Sequence, residues 1–125
     1  MGLLARLAAG LVALFGLALG LWFYGGTEQA AAAFFVAPQG AAGLATLRAD
    51  MSAFFLVGGG FALHAALTRN GRGLIVPGAL YAVAISGRAL NILVAGSDAG
   101  TATPMLVEAV LIGLCWFGWR TLRPR

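Results

Sequence analysis

The chain contains no lysine, one histidine and one cysteine, and its 125 residues include only eight basic and four acidic side chains. Each shortage excludes something. The lone Cys115, set in an apolar run, rules out an internal disulfide and a cysteine-based zinc site. So little charge is incompatible with the surface of an ordinary water-soluble domain. The net charge of +4 and pI near 10.7 do not point to nucleic acid, because the basic residues are all arginines and form no continuous patch with interleaved aromatics. No cofactor motif, metal cluster or nucleophile–base pair is visible, so no catalytic residue and no cofactor are assigned from the sequence. The absence of lysine beside abundant Ala and Gly suits a bacterial, G+C-rich origin.

What is present is apolar: 61% of residues are hydrophobic and the mean hydropathy is +0.93. This composition predicts an integral membrane protein, and the length accommodates four spans of roughly 20 residues with short loops. The expected fold is all-α, a polytopic transmembrane four-helix bundle forming one domain over residues 1–125. The predicted spans cover about 3–24, 48–68, 74–96 and 104–120. The first is interrupted only by Arg6; a cleaved signal peptide is its rival reading, but the apolar stretch after Arg6 exceeds the usual length of such a segment. The second and third are joined by Arg69-Asn70-Gly71-Arg72, whose Asn-Gly pair suits a turn with positive φ. Thr103 and Pro104 suit the N-cap and first position of the fourth. Residues 25–47 are ambiguous: the apolar stretch around 29–37 reads either as an interfacial or re-entrant helix or as an ordinary loop.

Arginine distribution sets the expected orientation. With four spans, Arg6, Arg69, Arg72, Arg120, Arg123 and Arg125 fall on one side, and the positive-inside rule makes that side, with both termini, cytoplasmic. Glu28 and Asp98 then face outward. Trp22 with Tyr24, and Trp116 with Trp119, mark opposite interfaces. The expected location is a bacterial inner membrane. Small residues recur every fourth position at Gly16 and Gly20, at Gly58, Ala62 and Ala66, and at Gly78, Ala82 and Ser86; such faces allow close helix packing within the bundle, or in a homo-oligomer.

Four charges stand inside or at the edge of apolar runs, where an ionised group costs about 2.5 to 3.5 kcal/mol on insertion scales. Arg48 and Asp50 open the second span, Arg88 lies late in the third, and Glu108 about one turn into the fourth. The spans place all four in the outer half of the bilayer, and two positive charges balance two negative ones. Asp50 is expected to pair with Arg88 and Arg48 with Glu108, with Asn91 assisting Arg88 from the same helix face. Tyr81 and Gly87 are candidate lining positions. His64 shares a face with Asp50 roughly 21 Å away, so it lines a proton path or simply packs. Two readings of the quartet stand: it fixes bundle register, or it lines a cavity for a polar head group.

Leu47-Arg48 opening the second span, Ser86-Gly87-Arg88 in the third and Glu108 in the fourth resemble a bacterial family of small four-helix membrane proteins with no assigned function, itself similar in architecture to DoxX-type proteins. The resemblance spans about residues 3–122. It implies importance for Arg48, Gly87, Arg88 and Glu108 but supplies no reaction. The first functional expectation is a binding or accessory protein that takes an amphipathic ligand such as a lipid or quinone, or joins a membrane complex through a protein partner. The alternatives are a quinone-linked oxidoreductase component, suggested by the DoxX-type likeness, and a small proton-coupled transporter. Against the transporter stand a candidate carboxylate in the fourth span rather than the first and the one-sided arginines.

Overall fold

Helix α1 runs unbroken over Gly2–Gly25, because neither a charged residue nor a proline separates Arg6 from Tyr24. In the computed structural model, which describes residues 1–124, it is followed by α2 (Thr27–Ala33), α3 (Gly40–Thr68), a 3₁₀ turn (Gly71–Leu74), α4 (Ile75–Ala95) and α5 (Ala102–Thr121). Helices α1, α3 and α5, and the 3₁₀ turn taken together with α4, are each long and apolar enough to cross a membrane. Arg125 lies outside the described residues.

Three expected boundaries move. The second span begins at Gly40, not 48: the residues after Pro38-Gln39 are themselves mostly apolar, and the helix continues through Arg48-Ala49-Asp50 without a break. At 1.5 Å per residue α3 is about 43 Å long, beyond the roughly 30 Å hydrocarbon layer. Arg48 and Asp50 therefore stand two to three turns inside a helix rather than at its start. The ambiguous segment does contain a helix, but it ends at Ala33, and Phe35 takes a left-handed φ of 60°. Helix α5 starts at Ala102 after Thr101, so Thr103 is not the cap and Pro104 occupies the third position, where its missing N–H still breaks no intrahelical bond.

The turn between α3 and α4 also differs from expectation. Positive φ falls on Arg69, at 58°, while Asn70 is extended and its side chain accepts a hydrogen bond from the Arg72 N–H at 3.1 Å. Gly71 is required for space: a Cβ there would lie 2.8 Å from the Gly118 carbonyl oxygen, so the turn docks directly on the end of α5.

Packing is inverted relative to a water-soluble bundle. Ala5, Ala9, Ala13, Ala62 and Ala65 are buried, whereas Leu3, Leu14, Val83 and Leu93 are exposed. Small residues inside and large apolar residues outside are what helices in lipid require, since tails solvate leucine and only close packing holds backbones together. Helices α1 and α3 run antiparallel and make the most extensive interface. At their crossing, a Cβ on Gly16 would meet the Phe55 carbonyl oxygen at 2.8 Å and the Gly59 Cα at 2.9 Å. Gly58 instead faces Leu80 and Pro77 of α4, and Ala82 and Ser86 are exposed.

The end of the bundle that carries both termini is fastened by Arg6, whose Nε donates to the Ala66 carbonyl at 2.9 Å. Arg69, Arg72, Arg120 and Arg123 gather near this end. At the other end Phe35 packs against Gly100, joining the α2–α3 and α4–α5 connections. Helix α4 packs chiefly on α5 and is the least enclosed, with only Pro77 and Tyr81 buried.

Candidate functional site

Arg88 on α4 donates from Nε to Oε1 of Glu108 on α5 at 2.6 Å. The guanidinium side chain is 38% exposed and the carboxylate side chain 9%. This is the one salt bridge among the described residues, and its short charge-assisted contact is what allows two ionised groups to sit among apolar helices. The expected pairing was different. Arg48 does not reach Glu108; its Nε donates to the Tyr24 carbonyl at 3.0 Å and to the Thr27 hydroxyl at 3.1 Å. The Thr27 hydroxyl in turn donates to the Phe23 carbonyl at 2.5 Å. Arg48 thus ties α3 to the α1–α2 junction, whose carbonyl and hydroxyl oxygens accept its charge. The physical reason is the antiparallel α1–α3 register: counted outward from the Gly16–Gly59 crossing, Arg48 comes level with Thr27 at the end of α1 and so bonds there rather than to α5.

Asp50 is left without a salt bridge among the described residues. It opens onto a cavity of about 630 Å³ that Arg88 and Glu108 also line. Helices α1, α3, α4 and α5 contribute the walls, and Phe34 and Phe35 after α2 close part of the side near the α2–α3 connection. Six of the lining residues are aromatic. Phe54 meets Tyr81 edge-to-face at 5.8 Å, and Phe15 meets Tyr81 at 6.2 Å and Phe55 at 6.2 Å. Phe23 and Phe34 extend this cluster beneath α2. Aromatic pairs at these separations add stabilisation beyond burial, about 0.5 to 1.5 kcal/mol each, so the walls are rigid.

An apolar groove of about 580 Å³ adjoins the cavity between α1 and α5. Phe15, Leu19 and Val107 line both spaces. Leu11, Leu14, Val110 and Leu111 continue the groove toward the end that carries both termini. A molecule with a polar head and an apolar tail has room for each part.

Of the residues singled out in the sequence, Asp50, Tyr81, Arg88 and Glu108 converge on the cavity. Arg48 does not line it. Asn91 is exposed and forms no hydrogen bond to Arg88, because Nε of that arginine is turned toward α5. Gly87 is exposed with open space where a side chain would stand. His64 is exposed near the C-terminal end of α3 and takes no part in the cavity wall.

The residues that sequence reasoning missed are Phe15, Phe34, Phe35, Phe54, Phe55 and Thr103. The doublets Phe34-Phe35 and Phe54-Phe55 were the available signal, but in an apolar chain a lining ring looks the same as a lipid-facing one. Thr27, the acceptor for Arg48, was also missed. No protein-family model matches this chain, and neither a curated protein nor a solved structure matches it.

Proposed function

We propose that this protein belongs to a bacterial inner membrane, with both termini cytoplasmic, and that its outer-half cavity binds an amphipathic molecule taken from the bilayer. The single observation that supports the binding role most is the junction of a charged, aromatic-walled cavity with a lipid-facing apolar groove. A purely structural ion pair needs no such space, and intramembrane ionisable groups mark ligand or ion pathways by default. The resemblance in residues 3–122 to small four-helix proteins of DoxX-like architecture fits this role without adding a reaction. The orientation rests on the arginine count near the span ends.

Mass spectrometry of the protein extracted in native lipid particles tests the proposal. A lipid, quinone or other amphiphile retained by the wild type and lost from the double variant R88M/E108Q is the expected result. A stoichiometric protein partner with no retained small molecule would instead make the chain an accessory subunit and overturn the ligand reading.

A further inference from the structure

The charges facing the cavity do not cancel. Asp50, Arg88 and Glu108 line it, two carboxylates against one guanidinium, and the guanidinium is already engaged by Glu108 at 2.6 Å. Asp50 is exposed and has no salt-bridge partner among the described residues. Phe54 follows Asp50 by four residues on α3, so both occupy one face of that helix, and Tyr81 abuts Phe54 at 5.8 Å. An uncompensated carboxylate beside several aromatic rings is the arrangement that attracts an organic cation, through direct charge attraction and through the negative faces of the rings.

From this we infer that the head group bound in the cavity is an ammonium or similar organic cation, with its apolar tail in the groove between α1 and α5. The inference rests on the ligand-binding role proposed above and names the ligand's chemical class. It disfavours the two heads that apolar walls alone would equally admit. An anionic head meets the Asp50 carboxylate and finds Arg88 already neutralised. A neutral quinone leaves the Asp50 carboxylate without a charge partner, whereas a cation gains direct attraction from it. The tail assignment follows from the groove, whose wall is almost entirely apolar and descends from the cavity toward the inner end along Leu14 and Val110.

Three probes with equal tails separate the alternatives: decyltrimethylammonium, decyl sulfate and a decyl-substituted benzoquinone. Each is titrated calorimetrically, below its micelle concentration, into the full chain in phosphatidylglycerol discs, with protein-free discs subtracted. The cation is expected to bind saturably and the other two at least roughly tenfold more weakly, a difference of about 1.4 kcal/mol. Asp50→Asn should weaken the cation by roughly tenfold and Phe54→Leu by roughly threefold, the range expected for a partly desolvated cation beside a ring. Unchanged melting temperatures for both variants establish that the loss is local, and agreement between two separate substitutions guards against one misfolded variant.

Saturable binding of the sulfate or the quinone, equal to or tighter than the cation and unaffected by Asp50→Asn, would overturn the cationic head while leaving the cavity a ligand site. No saturable binding by any probe would overturn both readings. Repeating the titration in discs that also contain phosphatidylethanolamine identifies the source of the cation. A reduced difference between wild type and Asp50→Asn there means the lipid ammonium occupies the site, whereas an unchanged difference means a free amphiphilic amine.

Discussion

Breaking the Arg88–Glu108 pair one side at a time should cost far more than removing it whole. Two unit charges about 4 Å apart attract by about 4 kcal/mol at an effective dielectric of 20. The Arg88 side chain is 38% exposed and Glu108 9%, so screening at the outer end leaves roughly half of that, about 2 kcal/mol. Arg88→Met strands the Glu108 carboxylate among the apolar residues of α5, and Glu108→Gln strands the guanidinium. Each single variant should therefore lose about 2 to 3 kcal/mol, because a buried charge without its partner keeps its desolvation penalty. The double variant R88M/E108Q removes both charges and should lie within about 1 kcal/mol of the wild type. Reversible unfolding in lipid bicelles, followed across all four proteins, gives the coupling free energy directly. Losses that simply add, with coupling below about 0.5 kcal/mol, would refute the claim that the pair is what makes these charges tolerable at this depth.

Gly16→Leu should separate α1 from α3 and cost about 1 to 3 kcal/mol or more, because its Cβ would meet the Phe55 carbonyl oxygen and the Gly59 Cα, backbone atoms that cannot turn aside; a melting temperature equal to wild type would contradict the crossing. Arg48→Ala should release the α1–α2 junction by removing its bonds to the Tyr24 carbonyl and the Thr27 hydroxyl, giving faster proteolysis between Gly25 and Gln39 with a loss of about 1 kcal/mol. Cys115 is 2% exposed, so maleimide labelling should be slow in lipid discs and rapid after denaturation in SDS. In a Cys115→Ser background, single cysteines replacing Asn70 and Asp98 should be labelled by an impermeant reagent from opposite faces of oriented vesicles, with the Asp98 site reacting from the outside; labelling of Asn70 from outside would reverse the proposed orientation.

Composition and pattern determined the helical class, the four apolar spans and the one-sided arginines, because apolar length and local charge are properties of consecutive residues. They also marked Asp50, Arg88 and Glu108, since an ionisable group in an apolar run is conspicuous wherever the fold puts it. Helix ends were less legible: Gly40 to Leu47 belong to α3, because backbone hydrogen bonding runs on through the charged Arg48-Ala49-Asp50 that marks an edge in the apolar pattern. Pairing was illegible. Whether Arg88 meets Asp50 or Glu108 depends on which helices α4 lies against and at what rotation, and α4 packs on α5 with Arg88 Nε turned toward Glu108. The antiparallel register of α1 and α3, set at the Gly16–Gly59 crossing, likewise sends Arg48 to the end of α1 rather than to α5. The aromatic cavity and its adjoining groove belong to the tertiary structure alone, because a phenylalanine facing lipid and one facing a cavity are the same letter in the same apolar run. Sequence fixes which residues are too polar or too small for lipid; only the assembled bundle decides which of them meet.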